Sequence, residues 1–164
     1  MTAHDNELLV ERFYEAFGRG DGHAMAECYA FDVHFSDPVF PDLRGPRAGA
    51  MWQMLTETPG DLRIELLDHE ADATRGTAQW RAHYVFSQTG RPVVNDVHAS
   101  FRFVDGLIVE HRDEFDFHRW ARQALGPVGL FLGWTPVLRA AVRRKAAARL
   151  KEFVVVRPDE PDRH

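Results

Sequence analysis

From Leu62 to Phe117 the chain reads in period two. Four segments, "LRIELLDHEADA", "GTAQWRAHYVFS", "RPVVNDVHASFRFV" and "LIVEHRDEFDF", follow one another, joined at "TRG", "QTGR" and "DG". Alternation sends successive side chains to opposite faces of an extended chain, so each segment predicts a strand with one apolar face. Connections this short join antiparallel neighbours. The outcome is a four-strand meander whose apolar face needs a cover.

The preceding residues supply it. "NELLVERFYEAFGRGD" places Leu8, Leu9, Arg12, Phe13 and Ala16 near one helical stripe, stopped by Gly18 and Gly20. Asp21 is placed to cap a second short helix, "GHAMAECYA". "VHFSDPVF" predicts a short strand broken at Pro38, and "GPRAGAMWQMLTET" a third helix opening on Pro46. Helices followed by a meander predict an α+β domain with a curved, mostly antiparallel sheet and a conical cavity beneath the helices.

Beyond the last strand, "ALGPVGLFLGWTPVL" is apolar but interrupted by Gly and Pro. "PVLRAAVRRKAAARLKEF" predicts an extra C-terminal helix with a basic face and an apolar stripe of Val137, Leu138, Ala141, Val142 and Leu150. The expected organisation is a domain over 1–120, a helical extension over 121–155 packed on the domain or on a partner subunit, and a disordered polar tail over 156–164. Binding of this basic helix to a membrane surface is the lesser reading.

Bulk properties narrow the class. The chain has 164 residues, room for one domain with a sizeable core. Its formal net charge of −5 disfavours general binding to nucleic acid or anionic lipid. The single cysteine, Cys28, excludes an internal disulfide and a thiolate-rich metal site. The N-terminus lacks a signal-peptide pattern, and no run approaches the roughly 20 apolar residues that span a bilayer. A cytoplasmic protein is the expectation.

Three stretches carry a resemblance. "RFYEAFGRGD", "FSDPVFPDLRGP" and "FRFVDGLIVEHRDEFD" together resemble the NTF2-like, or SnoaL-like, superfamily, which includes ketosteroid isomerase, limonene epoxide hydrolase and polyketide cyclases. The resemblance covers roughly residues 5–120. It implies a cone-shaped domain with a small-molecule pocket, no cofactor, and a homodimer formed through the convex sheet face. That face is expected to carry Arg81, His83, Asp96, His98, Ser100 and Arg102.

Carried over residue by residue, the isomerase pattern puts its general base on Asp37. Its two oxyanion donors fall on Phe13 and Ala99, which cannot donate, and the loss of one such donor typically costs about 10²–10³ in rate. The epoxide-hydrolase pattern puts one catalytic aspartate on Asp113. Its Arg-x-Asp pair falls on the inward positions Trp80, Ala82 and Tyr84, while Arg81 and His83 have the opposite phase unless a bulge shifts them. The cyclase pattern needs a last-strand acid/base and is met by Asp113.

The resulting expectation is a cofactor-independent acid/base enzyme of isomerase, cyclase or epoxide-hydrolase type, acting on an apolar, oxygen-bearing molecule. Asp113 is the principal acid/base, Asp37 the second carboxylate and His111 the modulator. Tyr14, Trp52, Trp80, Tyr84, Phe101, Phe115 and Trp120 form the pocket lining. No metal is expected. The structural alternatives are an Asx-turn at Asp37, an Asp113–His111 pair, aromatics that are simply core, and a non-catalytic ligand-binding or scaffold domain.

Overall fold

A computed structural model describes residues 2–58 and 61–156. Helix α1 (Ala3–Gly18) opens with a reciprocal cap: Asp5 N–H donates to Thr2 Oγ1 and Thr2 N–H donates to Asp5 Oδ2. Its buried face carries Leu9, Val10, Phe13, Tyr14 and Phe17. Leu8 and Arg12 lie outside that face, which corrects the expected stripe. The rotation lets the larger set, with Tyr14 and Phe17, reach the sheet. Helix α2 (Gly22–Glu27) is capped by Asp21, which accepts from Ala24 N–H. It ends earlier than expected, and Tyr29 already belongs to strand β1 (Tyr29–Ser36). A two-residue strand β2 (Leu43–Arg44) precedes helix α3 (Pro46–Glu57).

The period-two segments form β3 (Arg63–Ala71), β4 (Arg75–Phe86), β5 (Arg91–Val104) and β6 (Leu107–Glu114), antiparallel in succession. In the β5–β6 turn both Asp105 (φ 51°) and Gly106 (φ 77°) have positive φ. A type I′ hairpin turn requires that, and Asp-Gly supplies it. The whole sheet runs β2-β1-β6-β5-β4-β3, with β1 parallel to β6. The last strand is shorter than "LIVEHRDEFDF" suggested. Asp116 accepts from Arg119 N–H and caps helix α4 (Phe117–Leu125), so Asp116 and Phe117 belong to a helix start.

Helices α5 (Pro127–Leu132) and α6 (Pro136–Val156) complete the described chain. The expected boundary at 120/121 falls inside α4, and Val156, assigned to the tail, closes α6; residues 157–164 lie outside the described residues. The main core fills the space between the sheet and helices α1 and α3. A second cluster of Val93, Phe117, Trp120, Ala121 and Ala124 sits under α4. Helix α6 spans both: Leu138 and Val142 pack on the second cluster, Ala146, Leu150 and Phe153 on the first. Val137 is 78% exposed and leaves the expected stripe. Arg139 stacks on the Phe117 ring instead, 4.9 Å from its centroid.

Candidate acid/base site

The parallel pairing of β1 with β6 builds the site. Phe35 pairs with His111 and Ser36 with Arg112. The next step along the register sets Asp37, just past the end of β1, beside Asp113. His111 and Asp113 are 1% and 3% exposed, two of the few polar residues fully buried among those described. The opposite phase of β6 carries Arg112 and Glu114 outward, paired at 3.1 Å.

Hydrogen bonding fixes a buried chain. Trp52 Nε1–H donates to the Tyr29 hydroxyl (2.7 Å). The hydroxyl has one proton, and its next neighbour is His111 Nδ1 at 2.7 Å. His111 Nε2 lies 2.8 Å from Asp113 Oδ1. Every group is satisfied when Tyr29 donates to Nδ1 and His111 Nε2–H donates to Asp113. Phe13, Phe35 and Phe101 pack around the imidazole, with Phe101 4.5 Å away between ring centroids. The sequence offers Tyr29 as a candidate phenol at the edge of the core and puts it at the end of the helix "GHAMAECYA"; the structure places it in β1 against His111. The apolar alternation Tyr29, Phe31, Val33, Phe35 back from "VHFSDPVF" points to a strand, although Phe31 itself is 90% exposed where the β1–β6 register shifts.

Asp37 is held differently. Its Oδ1 accepts from Val39 N–H (2.7 Å) and Phe40 N–H, an Asx-turn over Pro38. Burial pushes its carboxyl up to about 7, against the opposing pull of the Phe40 N–H; the charge of Asp113 adds to the rise and Arg143 of α6 opposes it. Arg143 Nε also donates to the Pro38 carbonyl (2.9 Å). Burial likewise raises the Tyr14 and Tyr29 phenols well above their usual range, with Asp113 contributing to both. Tyr84 is pushed up to about 12, chiefly by burial, and accepts from Trp120 Nε1–H at 2.7 Å.

Two donors in this region have no partner: the Tyr14 hydroxyl and Trp80 Nε1–H. Both residues are buried, with ring centroids 5.8 Å apart. The residues expected to line a pocket divide into two groups. Tyr14, Trp52, Trp80 and Phe101 lie in the main core around His111; Trp120 lies in the second cluster, with Tyr84 and Phe115 packed against both. They fill the cone with side chains. Of two surface clefts, one of about 340 Å³ is lined by Phe115 together with Asp96, His98, Glu114 and Arg119, and one of about 510 Å³ lies apart at His34, Arg44, Arg102 and Glu110.

The β4–β5 register runs unbroken from Arg75 to Phe86, so no bulge turns Arg81 or His83 inward. Arg81 pairs with Asp96 (2.6 Å) and His83 with Glu65 (2.9 Å) on the outer face. Cys28 is a buried free thiol, pushed up to about 11 by that burial. Among the described residues no three His, Cys, Asp or Glu side chains converge as a metal site, and no helix is long and apolar enough to cross a membrane.

Residues 10–111 match the model of the SnoaL-like domain. The chain belongs to the SnoaL-like domain family. Its fold is the cone-shaped NTF2-like one, α+β with N-terminal helices on a curved sheet and an added C-terminal helix. Similar solved structures include a candidate polyketide cyclase from Xanthomonas campestris pv. campestris (26% identity, TM-score 0.67, covering 75% of this SnoaL-like chain and 98% of that one). An LEH-like epoxide hydrolase from M. tuberculosis is 20% identical (TM-score 0.64, 79% and 97% covered). A Catenulispora acidiphila protein with a ketosteroid isomerase-like fold, in complex with trimethylamine, is 15% identical (TM-score 0.64, 78% and 97% covered). No curated protein matches the SnoaL-like chain.

Proposed function

We propose that this SnoaL-like protein is a cofactor-independent acid/base enzyme of isomerase, cyclase or epoxide-hydrolase type, acting on a small apolar molecule that carries oxygen. The observation that carries this reading is the pair of buried, unpartnered donors, Tyr14 O–H and Trp80 Nε1–H, in the neighbourhood of the carboxylates of Asp113 and Asp37, the charge of the first raising the second. Each unmet buried donor costs about 1–3 kcal/mol, a cost that a ligand oxygen removes. Asp113, which accepts from His111 Nε2–H, takes a proton from the substrate. Tyr14 and Trp80 donate to the oxygen on which negative charge develops. Asp37, with its carboxyl near 7, returns a proton at neutral pH. His111 is a positioning residue, held in one tautomer by Tyr29.

The closed packing of the cone favours a second reading, a non-catalytic dimeric scaffold. In that case the convex face, with its Arg81–Asp96 and His83–Glu65 pairs, is the homodimer surface. Mass spectrometry of small molecules that co-purify with the protein separates the two. The enzyme reading expects an oxygenated apolar compound, released from a Tyr14→Phe/Trp80→Phe variant and turned over by wild type but not by Asp113→Asn. A dimer that carries no compound, and has no activity on oxygenated apolar scaffolds, supports the scaffold.

A further inference from the structure

We propose that the surface formed by α5 and the outer face of α6 docks on an anionic lipid bilayer. The protein as a whole has a net charge of −5, yet from Phe117 to Lys151 there are eight Lys and Arg residues and no Asp or Glu. The same stretch bears the most exposed large apolar side chains near one another in sequence: Phe131 (70%), Trp134 (73%) and Val137 (78%), with Val128, Leu130 and Leu132 also exposed. Their exposure has a structural cause. Helix α5 lies so close to α4 that a Cβ on Gly129 would sit 1.9 Å from the Ala121 carbonyl oxygen. Only glycine fits there, and the remaining α5 side chains point away from the domain.

Helix α6 follows α5 after three residues and adds cations to the same stretch. At 100° per residue Val137, Arg144, Lys151 and Val155 share one side, opposite Val142, Ala146 and Leu150. All four are exposed. Aromatic and branched apolar side chains flanked by cations suit the interface of an anionic membrane, where rings enter the headgroup boundary and cations meet lipid phosphates and carboxylates. A second copy fits less well. Self-association through this face would set two net-cationic surfaces against each other, Glu152 being the one acid on α5 and α6, and like-charge repulsion opposes that.

The test uses the full-length protein and vesicles of phosphatidylcholine alone or enriched in phosphatidylglycerol. The expected result is co-sedimentation with the anionic vesicles only, weakened at least about tenfold when 1 M salt shortens the Debye length to about 3 Å. Trp52, Trp80 and Trp120 are buried, so quenching by brominated lipid reports on Trp134. Phe131→Ser/Trp134→Ser should abolish binding, and Arg144→Glu/Lys151→Glu should weaken it at least about tenfold. All four positions are exposed, and circular dichroism checks that the variants stay folded. Failure of the wild type to bind anionic vesicles overturns the proposal. So does a solution dimer that Trp134→Ser converts to monomer, which would make a second copy the occupant.

Discussion

Asp37 is a carboxyl whose acidity opposes its place in the fold. Its folded pKa, about 7, lies above the ordinary 3.8, so the folded chain binds this proton more tightly than the unfolded chain does. Stability from this group falls as pH rises between those two values and is lowest above about 7. A unit of pKa corresponds to about 1.4 kcal/mol, and partial exposure with Arg143 nearby reduces the total to on the order of 1–3 kcal/mol. Asp37→Asn keeps an Oδ1 acceptor for Val39 and Phe40 without a charge. Urea titration should find this variant close to wild type near pH 4, and more stable by that amount near pH 8. A variant destabilised equally at both pH values would make Asp37 a turn residue and nothing more. Tyr29 gives a complementary expectation. Tyr29→Phe removes one oxygen but strands both Trp52 Nε1–H and His111 Nδ1, at about 1–3 kcal/mol for each stranded group. Thermal denaturation measures that cost. The imidazole ¹⁵N shifts should show that His111 no longer holds a single tautomer.

Helix ends and helix faces make separate expectations. Leu150 is the fully buried anchor of α6 in the main core, so Leu150→Ala should cost about 2–5 kcal/mol by urea unfolding. Val137→Ala, on the same helix, should fall within about 0.5 kcal/mol of wild type. Asp116→Ala removes the α4 cap at a cost of about 0.5–2 kcal/mol. Asp116 also shows where the sequence was legible and where it was not. The alternation through His111 and Asp113 correctly gives a strand face, which stops at Glu114 short of Phe115, yet Asp116 fits an alternating strand and a helix cap equally well. Pattern alone cannot choose; the packing of Trp120 and Ala121 under α6 does. The meander was readable because its turns, Asp105-Gly106 above all, allow few other geometries. β1 was only partly readable, since its pairing with β6 joins residues far apart in the chain. Asp37 and Asp113 could be paired only through the family resemblance, and the Tyr29–His111 contact could not be read at all. The filled cone is a matter of side-chain volume, which periodicity does not report.

Over the whole molecule, order should decline from the sheet outward. β4 and β5 are central strands, each paired on both sides. Helix α5 is anchored at Gly129 and otherwise exposed. Amide hydrogen exchange should be slowest in β4 and β5 and fastest, among the helices after β6, in α5. Equal protection in α5 and β5 would contradict this picture. The charge distribution is equally uneven. Acidic residues dominate up to Asp116 and the next segment has none until Glu152, so one end of the sequence carries most of the repulsion and the other most of the attraction for anions.

The parallel pairing of β1 with β6 also sets an order of events at the ribosome. Tyr29–Ser36 emerges well before Leu107–Glu114, and at about 5–20 residues per second the delay is several seconds. Until β6 arrives, β1 has only the two residues of β2 beside it, and Val33 and Phe35 are exposed to any chaperone that recognises apolar strands. Asp37 and Asp113 come together in that last step. A nascent chain therefore holds no half-built pair of acids: Asp37 and Asp113 become neighbours only when the sheet closes.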